Sequence, residues 1–114
     1  MAMTKLINEV TQLVDAEYNR AAEQHGKLHH SMHEAYAVMK EELEEAQEQI
    51  YHTDNFLNDD FWQCVMADGA STGRMFANCI RDHAIAAAAE MIQVAAMAQK
   101  AMLGFESDKA EAES

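Results

Sequence analysis

Apolar side chains near the start of the chain recur every three or four residues: Leu6, Ile7, Val10, Leu13, Val14, Tyr18 and Ala21. That spacing puts them on one face of a helix, expected to open at a Thr4 N-cap and run to Gln24. Gly26 ends it, because glycine takes the left-handed conformation of a helix C-terminus without steric cost. Lys27 to His30 form the connection. Ser31 followed by Glu34 reads as a capping box for a second helix to Tyr51 or His52, with the stripe Ala35, Val38, Met39, Ala46 and Ile50. Thr53-Asp54-Asn55 is expected to break the chain, and Phe56, Leu57, Phe61 and Val65 give a short third helix. Asp68 to Gly73 carries the loop signature, with Ser71 or Thr72 as cap for a long last helix from Gly73 or Arg74 to Leu103, stopped by Gly104. The pattern predicts an all-α antiparallel bundle of three long helices and one short one. It forms a single domain over residues 1–104, followed by an acidic, frayed tail over 105–114.

The pattern fails in two places. After Met39 the apolar stripe should continue at residue 42, yet Glu42 stands there, with Glu45 one turn further on. A carboxylate in such a position either bends out to water or needs a compensating charge. The second place is Ala84 to Ala98, where Glu90 and Gln93 are the only polar side chains. They share a helix face with His83, Met97 and Lys100. A helix apolar nearly all round is expected at the centre of a bundle, and its many alanines let neighbours come close. If the second and last helices are neighbours, Glu42 and Glu45 face Glu90 and Gln93. Oxygens converging in an apolar seam call for a hard divalent cation, Mg²⁺ or Mn²⁺.

Composition narrows the function classes. No proline and abundant Ala, Glu, Met and Gln support the helical reading. A net charge of -12 with eight scattered basic residues argues against a nucleic-acid surface. Cys64 and Cys79 lack CxxC spacing, so neither a disulfide framework nor a zinc knuckle is expected. Met1 to Glu9 has no apolar leader core, and Ala84 to Ala98 is too short to span a bilayer; a cytoplasmic protein that does not engage membranes is expected. His25, His29 and His33 have metal-ligand spacing on a helix, but Gly26 and the Ser31 cap interrupt it, so no histidine metal site is assigned. Tyr36, Phe61 and Trp62 can stack on a base, although Phe61 and Trp62 read more simply as core.

The strings His33-Glu34-Ala35-Tyr36-Ala37-Val38-Met39-Lys40-Glu41-Glu42-Leu43-Glu44-Glu45 and Glu90-Met91-Ile92-Gln93-Val94-Ala95-Ala96-Met97-Ala98 resemble those of the MazG-like all-α nucleoside triphosphate pyrophosphohydrolases. Members carry EExxE on one helix and ExxD on another. Glu41, Glu42 and Glu45 match the first motif and Glu90 opens the second, where Gln93 replaces the aspartate. The resemblance implies Mg²⁺ (or Mn²⁺) held by Glu41, Glu42, Glu45, Glu90 and Gln93. It implies Glu41 or Glu45 as general base, and a nucleoside triphosphate cleaved to monophosphate and pyrophosphate. Lys100 is the leading phosphate contact, with Lys40 and Arg81 behind it. It also implies a homodimer or homotetramer, which would cover apolar surface that so thin a chain leaves open. The other reading is a non-catalytic relative, an oligomeric interaction or structural module in which Gln93 marks lost metal. A ferritin-like di-metal protein is rejected, because no Glu-x-x-His pair is present.

Overall fold

In the computed structural model, which describes residues 2–108, the chain is all-α. Helix α1 spans Ala2–His25, α2 Met32–Asn55, α3 Trp62–Ala67 and α4 Ala70–Met102, with a π-helical segment at Phe56–Phe61. No strand occurs among the described residues, only an isolated bridge between His29 and Phe105.

The predicted ends hold where their chemistry is strong. Gly26 turns the chain at φ +89°, and its N–H donates to the Ala22 carbonyl. The Ser31 hydroxyl accepts the Glu34 N–H at 3.2 Å, as the N-terminal half of a capping box requires. Gly104, at φ +104°, follows α4.

The break expected at Thr53-Asp54-Asn55 is absent. Asn55 stays right-handed helical, and so do Phe61 and Trp62. Thr53 turns its hydroxyl back to the Gln49 carbonyl at 2.8 Å, and Asn58 donates to the Asp54 carboxylate one turn away. Both side chains satisfy themselves inside the helix rather than competing with it. The extra residues are taken up as wider π turns. The true stop comes at Asp68, left-handed at φ 53°, where the Gly69 N–H closes on the Cys64 carbonyl. Helix α4 begins at Ala70, directly after this tight turn, so Ser71 and Thr72 lie within it rather than capping it.

The chain divides into two compact units, residues 1–43 with 91–114, and residues 44–90. In the first, Val14, Tyr18 and Ala21 of α1 meet Val38 and Met39 of α2 and Ile92, Ala96 and Met97 of α4. Asp15 reaches Gln99 and Glu17 reaches Gln93, which ties α1 to α4 in this unit. The second unit buries Ala46 and Ala87. Phe56 packs against Phe76 and stacks on His83, their ring centres 6.1 and 5.3 Å away.

One apolar face lies open, and one core expectation fails. Leu6, Ile7, Val10 and Leu13 keep their helical face but are exposed, leaving only Val14 and Ala21 of that stripe buried. The segment Ala84 to Ala98 is not buried all round: Ile85 and Met91 face outward. Alanine-rich helices bury little side-chain area, so apolar composition alone did not fix which faces are covered. The expected frayed tail begins with ordered contacts, the Glu106 and Ser107 N–H groups donating to the His29 and His30 carbonyls. Residues 109–114 of that tail lie outside the described residues.

Candidate metal centre and anion cavity

Glu45 on α2 and Glu90 on α4 both belong to the second unit, and each offers a carboxylate oxygen within 4.8 Å of the other. Glu42 stands one turn before Glu45 on the same uninterrupted helix, and its carboxylate comes within the same distance of Glu45. Helical spacing sets the second approach, and the antiparallel pairing of α2 with α4 in the second unit sets the first. That pairing is held one turn on, where His83 Nδ1 meets Gln49 Oε1 at 2.7 Å. Glu42 and Glu90 are half-buried and Glu45 is exposed.

The donor set fits a hard cation. Ligand oxygens about 2.1 Å from Mg²⁺ lie about 3.0 Å apart when adjacent and about 4.2 Å apart when opposite. A spacing limit of 4.8 Å therefore needs only a small closing movement of mobile side chains. Repulsion between two carboxylates at this separation is about 1 kcal/mol in water and about 3.5 kcal/mol at the effective dielectric near a protein surface, which a bound cation would relieve.

Other expected ligands are placed elsewhere. Glu41 is exposed and does not join this group among the described residues; it points about 100° around the helix from Glu42. Gln93 turns to α1, its Nε2 donating to Glu17 Oε1 at 2.7 Å. Lys40 is exposed and lies over the Tyr36 ring at 5.8 Å. Arg81, also exposed, pairs with Asp82 at 3.2 Å. His83, expected beside the site, is occupied by Gln49 and Phe56.

The first unit contains a cavity of about 460 Å³, floored by Ala21, Val38 and Met97. Lys100 opens into it at 5% exposure and His29 at 1%, with Glu42 and Gln93 on its wall. Lys100 is thus the one expected phosphate contact that lines a cavity. His29 donates Nε2–H to the Met97 carbonyl at 3.1 Å. Beside it, His30 pairs with Glu34 at 2.6 Å and with Glu106 at 3.1 Å. The hydrogen bond to Glu34, with the Glu106 charge, holds the His30 ring above its ordinary pKa, and the same bond draws Glu34 below its own. On α1, Arg20 clamps Glu17 through Nε at 3.0 and 2.9 Å to its two oxygens. That guanidinium pulls the Glu17 carboxyl below the usual range; burial opposes it and the Gln93 amide adds to it.

Neither Glu17 nor His29 stood out in the sequence. Glu17 sits beside Tyr18 at the edge of the α1 stripe, where a carboxylate reads as solvated. His29 lies in the connection between helices, and nothing in periodicity marks a loop side chain as buried. No protein-family model, curated protein or solved structure matches this chain.

Proposed function

We propose that this chain is a Mg²⁺- or Mn²⁺-dependent hydrolase that cleaves a nucleoside triphosphate to the monophosphate and pyrophosphate. The observation that carries the reading is the approach of Glu45 to Glu90, with Glu42 one turn back on α2. Glu45 and Glu90 would hold the cation, which supplies charge neutralisation on the polyphosphate and an activated water. Glu45 would take the proton as water attacks the α-phosphorus and the bond to the bridging oxygen breaks. Gln93 and Glu41 have no part in this scheme, which departs from the ligand set implied by the resemblance.

A second reading rests on Gln93. Its bond to Glu17 makes it a structural tie, as expected of a non-catalytic helical module acting through assembly. The exposed α1 face of Leu6, Ile7, Val10 and Leu13 supports a second copy of the chain as partner in either case.

Release of pyrophosphate from a panel of ribo- and deoxyribonucleoside triphosphates with Mg²⁺ or Mn²⁺ tests the enzyme reading. Activity abolished by Glu45→Gln and by Glu90→Gln supports it. No hydrolysis across the panel, with no metal-dependent rise in melting temperature, leaves the assembly module.

A further inference from the structure

His29 and Lys100 are the buried polar side chains among the described residues, and both line the cavity of the first unit. Each lacks something. A buried ammonium is costly unless an anion meets it, yet no hydrogen bond or ion pair of the Lys100 ammonium occurs among the described residues. Its felt neighbour is like-charged, since it works against protonation of His30.

His29 poses the complementary problem. The Met97 carbonyl can only accept, so Nε2 of His29 carries a hydrogen, and in the neutral form of the ring Nδ1 presents a lone pair. That Nδ1 is fully buried and has no hydrogen-bond partner. The Glu34 carboxylate lies 3.8 Å away, too far for a hydrogen bond, and is held by His30. With the ring neutral, the two face each other as acceptors and cannot bond. The cavity therefore asks for negative charge at Lys100 and a hydrogen-bond donor at His29.

An oxyanion that keeps an acidic hydroxyl supplies both. We infer that this cavity binds a protonated phosphate oxyanion, inorganic phosphate or pyrophosphate, with P–O⁻ on the Lys100 ammonium and P–O–H donated to Nδ1 of His29. The Glu34 and Glu42 carboxylates on the wall favour the same choice, because they repel a fully ionised anion but accept a hydroxyl. Sulfate has the charge and the shape but no hydroxyl at neutral pH, so the site discriminates against it. This binding requires neither Glu45 nor Glu90.

Titration calorimetry of the full chain without divalent metal tests it, using sodium phosphate, sodium pyrophosphate and sodium sulfate as probes. Phosphate, pyrophosphate or both should bind, with sulfate weaker by about tenfold or more, as expected for losing one hydrogen bond to a charged ligand. Binding of pyrophosphate alone would assign the cavity to a diphosphate, and binding of phosphate alone to the single ion. Lys100→Met fills the same space without charge and should weaken binding about tenfold or more. His29→Gln can keep a donor to Met97 while removing the cavity-facing nitrogen, and should erase the preference over sulfate; its melting temperature reports whether it folds. The double variant Glu45→Gln, Glu90→Gln should bind phosphate as the unaltered chain does, whatever happens to hydrolysis. The inference is overturned if neither phosphate nor pyrophosphate binds at millimolar concentration, if sulfate binds equally well, or if Lys100→Met binds undiminished.

Discussion

Gln93 donates its amide hydrogen to Glu17 at 2.7 Å, joining α4 to α1 inside the first unit, while Arg20 clamps the same carboxylate from the next turn. An amide at 93 is thus a donor matched to an ionised acceptor. An aspartate there would set carboxylate against carboxylate. We expect Gln93→Asp to destabilise the chain by about 1–2 kcal/mol, the lost bond to a charged group plus repulsion, and to give no gain in metal affinity. Urea denaturation and Mg²⁺-dependent melting check the two halves; a stabilised variant with tighter Mg²⁺ binding would contradict both.

The carboxylates of the candidate metal centre separate by position. Mn²⁺ or Mg²⁺ at concentrations well above its dissociation constant should raise the melting temperature, as any ligand specific to the folded state does. Glu90→Gln and Glu45→Gln should each abolish the rise. Glu41→Gln should leave it intact, although Glu41 shares their motif. A loss with Glu41→Gln equal to that with Glu45→Gln would show that the wrong face of α2 has been assigned.

The pair His30 and Glu34 should leave a bell-shaped mark on stability against pH. His30 is raised above its ordinary 6.5, so its contribution is complete below that value and is lost as pH climbs through the raised one. Glu34 is lowered from 4.5, so its contribution is complete above that value and is lost as pH falls through the lowered one. Both operate together between these ordinary values. The melting-temperature difference between the unaltered chain and His30→Ala should therefore be largest between pH 4.5 and 6.5 and shrink on either side. A difference independent of pH would mean that His30 acts through packing alone.

Leu6, Ile7 and Leu13 are each at least half exposed. If a second copy covers them, sedimentation should give a mass above that of one chain, and Ile7→Glu with Leu13→Glu should return it to one. The double variant should keep its helicity, because these side chains contribute little to the described core. An unaltered chain that sediments as a monomer would remove the assembly proposal.

Much of this architecture was legible from spacing. The caps at Ser31 and Gly26 and the α1 and α2 stripes are local chemistry, which a sequence displays directly. Glu42, Glu45 and Glu90 were legible as departures from such stripes. Glu17 and His29 were not, because each acquires its meaning from a partner on another element: Gln93 lies 76 residues from Glu17, and Met97 lies 68 residues from His29. Thr53-Asp54-Asn55 misled for a related reason. Residues that favour turns also satisfy themselves within a helix when the bond back to the preceding turn is available. Exposure of the α1 stripe could not be read from spacing, because periodicity shows which residues share a face and not whether anything lies against it.

The wide turns at Phe56–Phe61 give the chain slack. A π-helical segment is a helix holding a residue more than its regular ladder accommodates. One residue removed between 56 and 61 lets that ladder close, and α3 still follows α2 without a break. The same deletion upstream would swing every later side chain of α2 by about 100°. The spare residue lies after Glu42 and Glu45, so the path between α2 and α4 can be shortened while both carboxylates keep their places on α2.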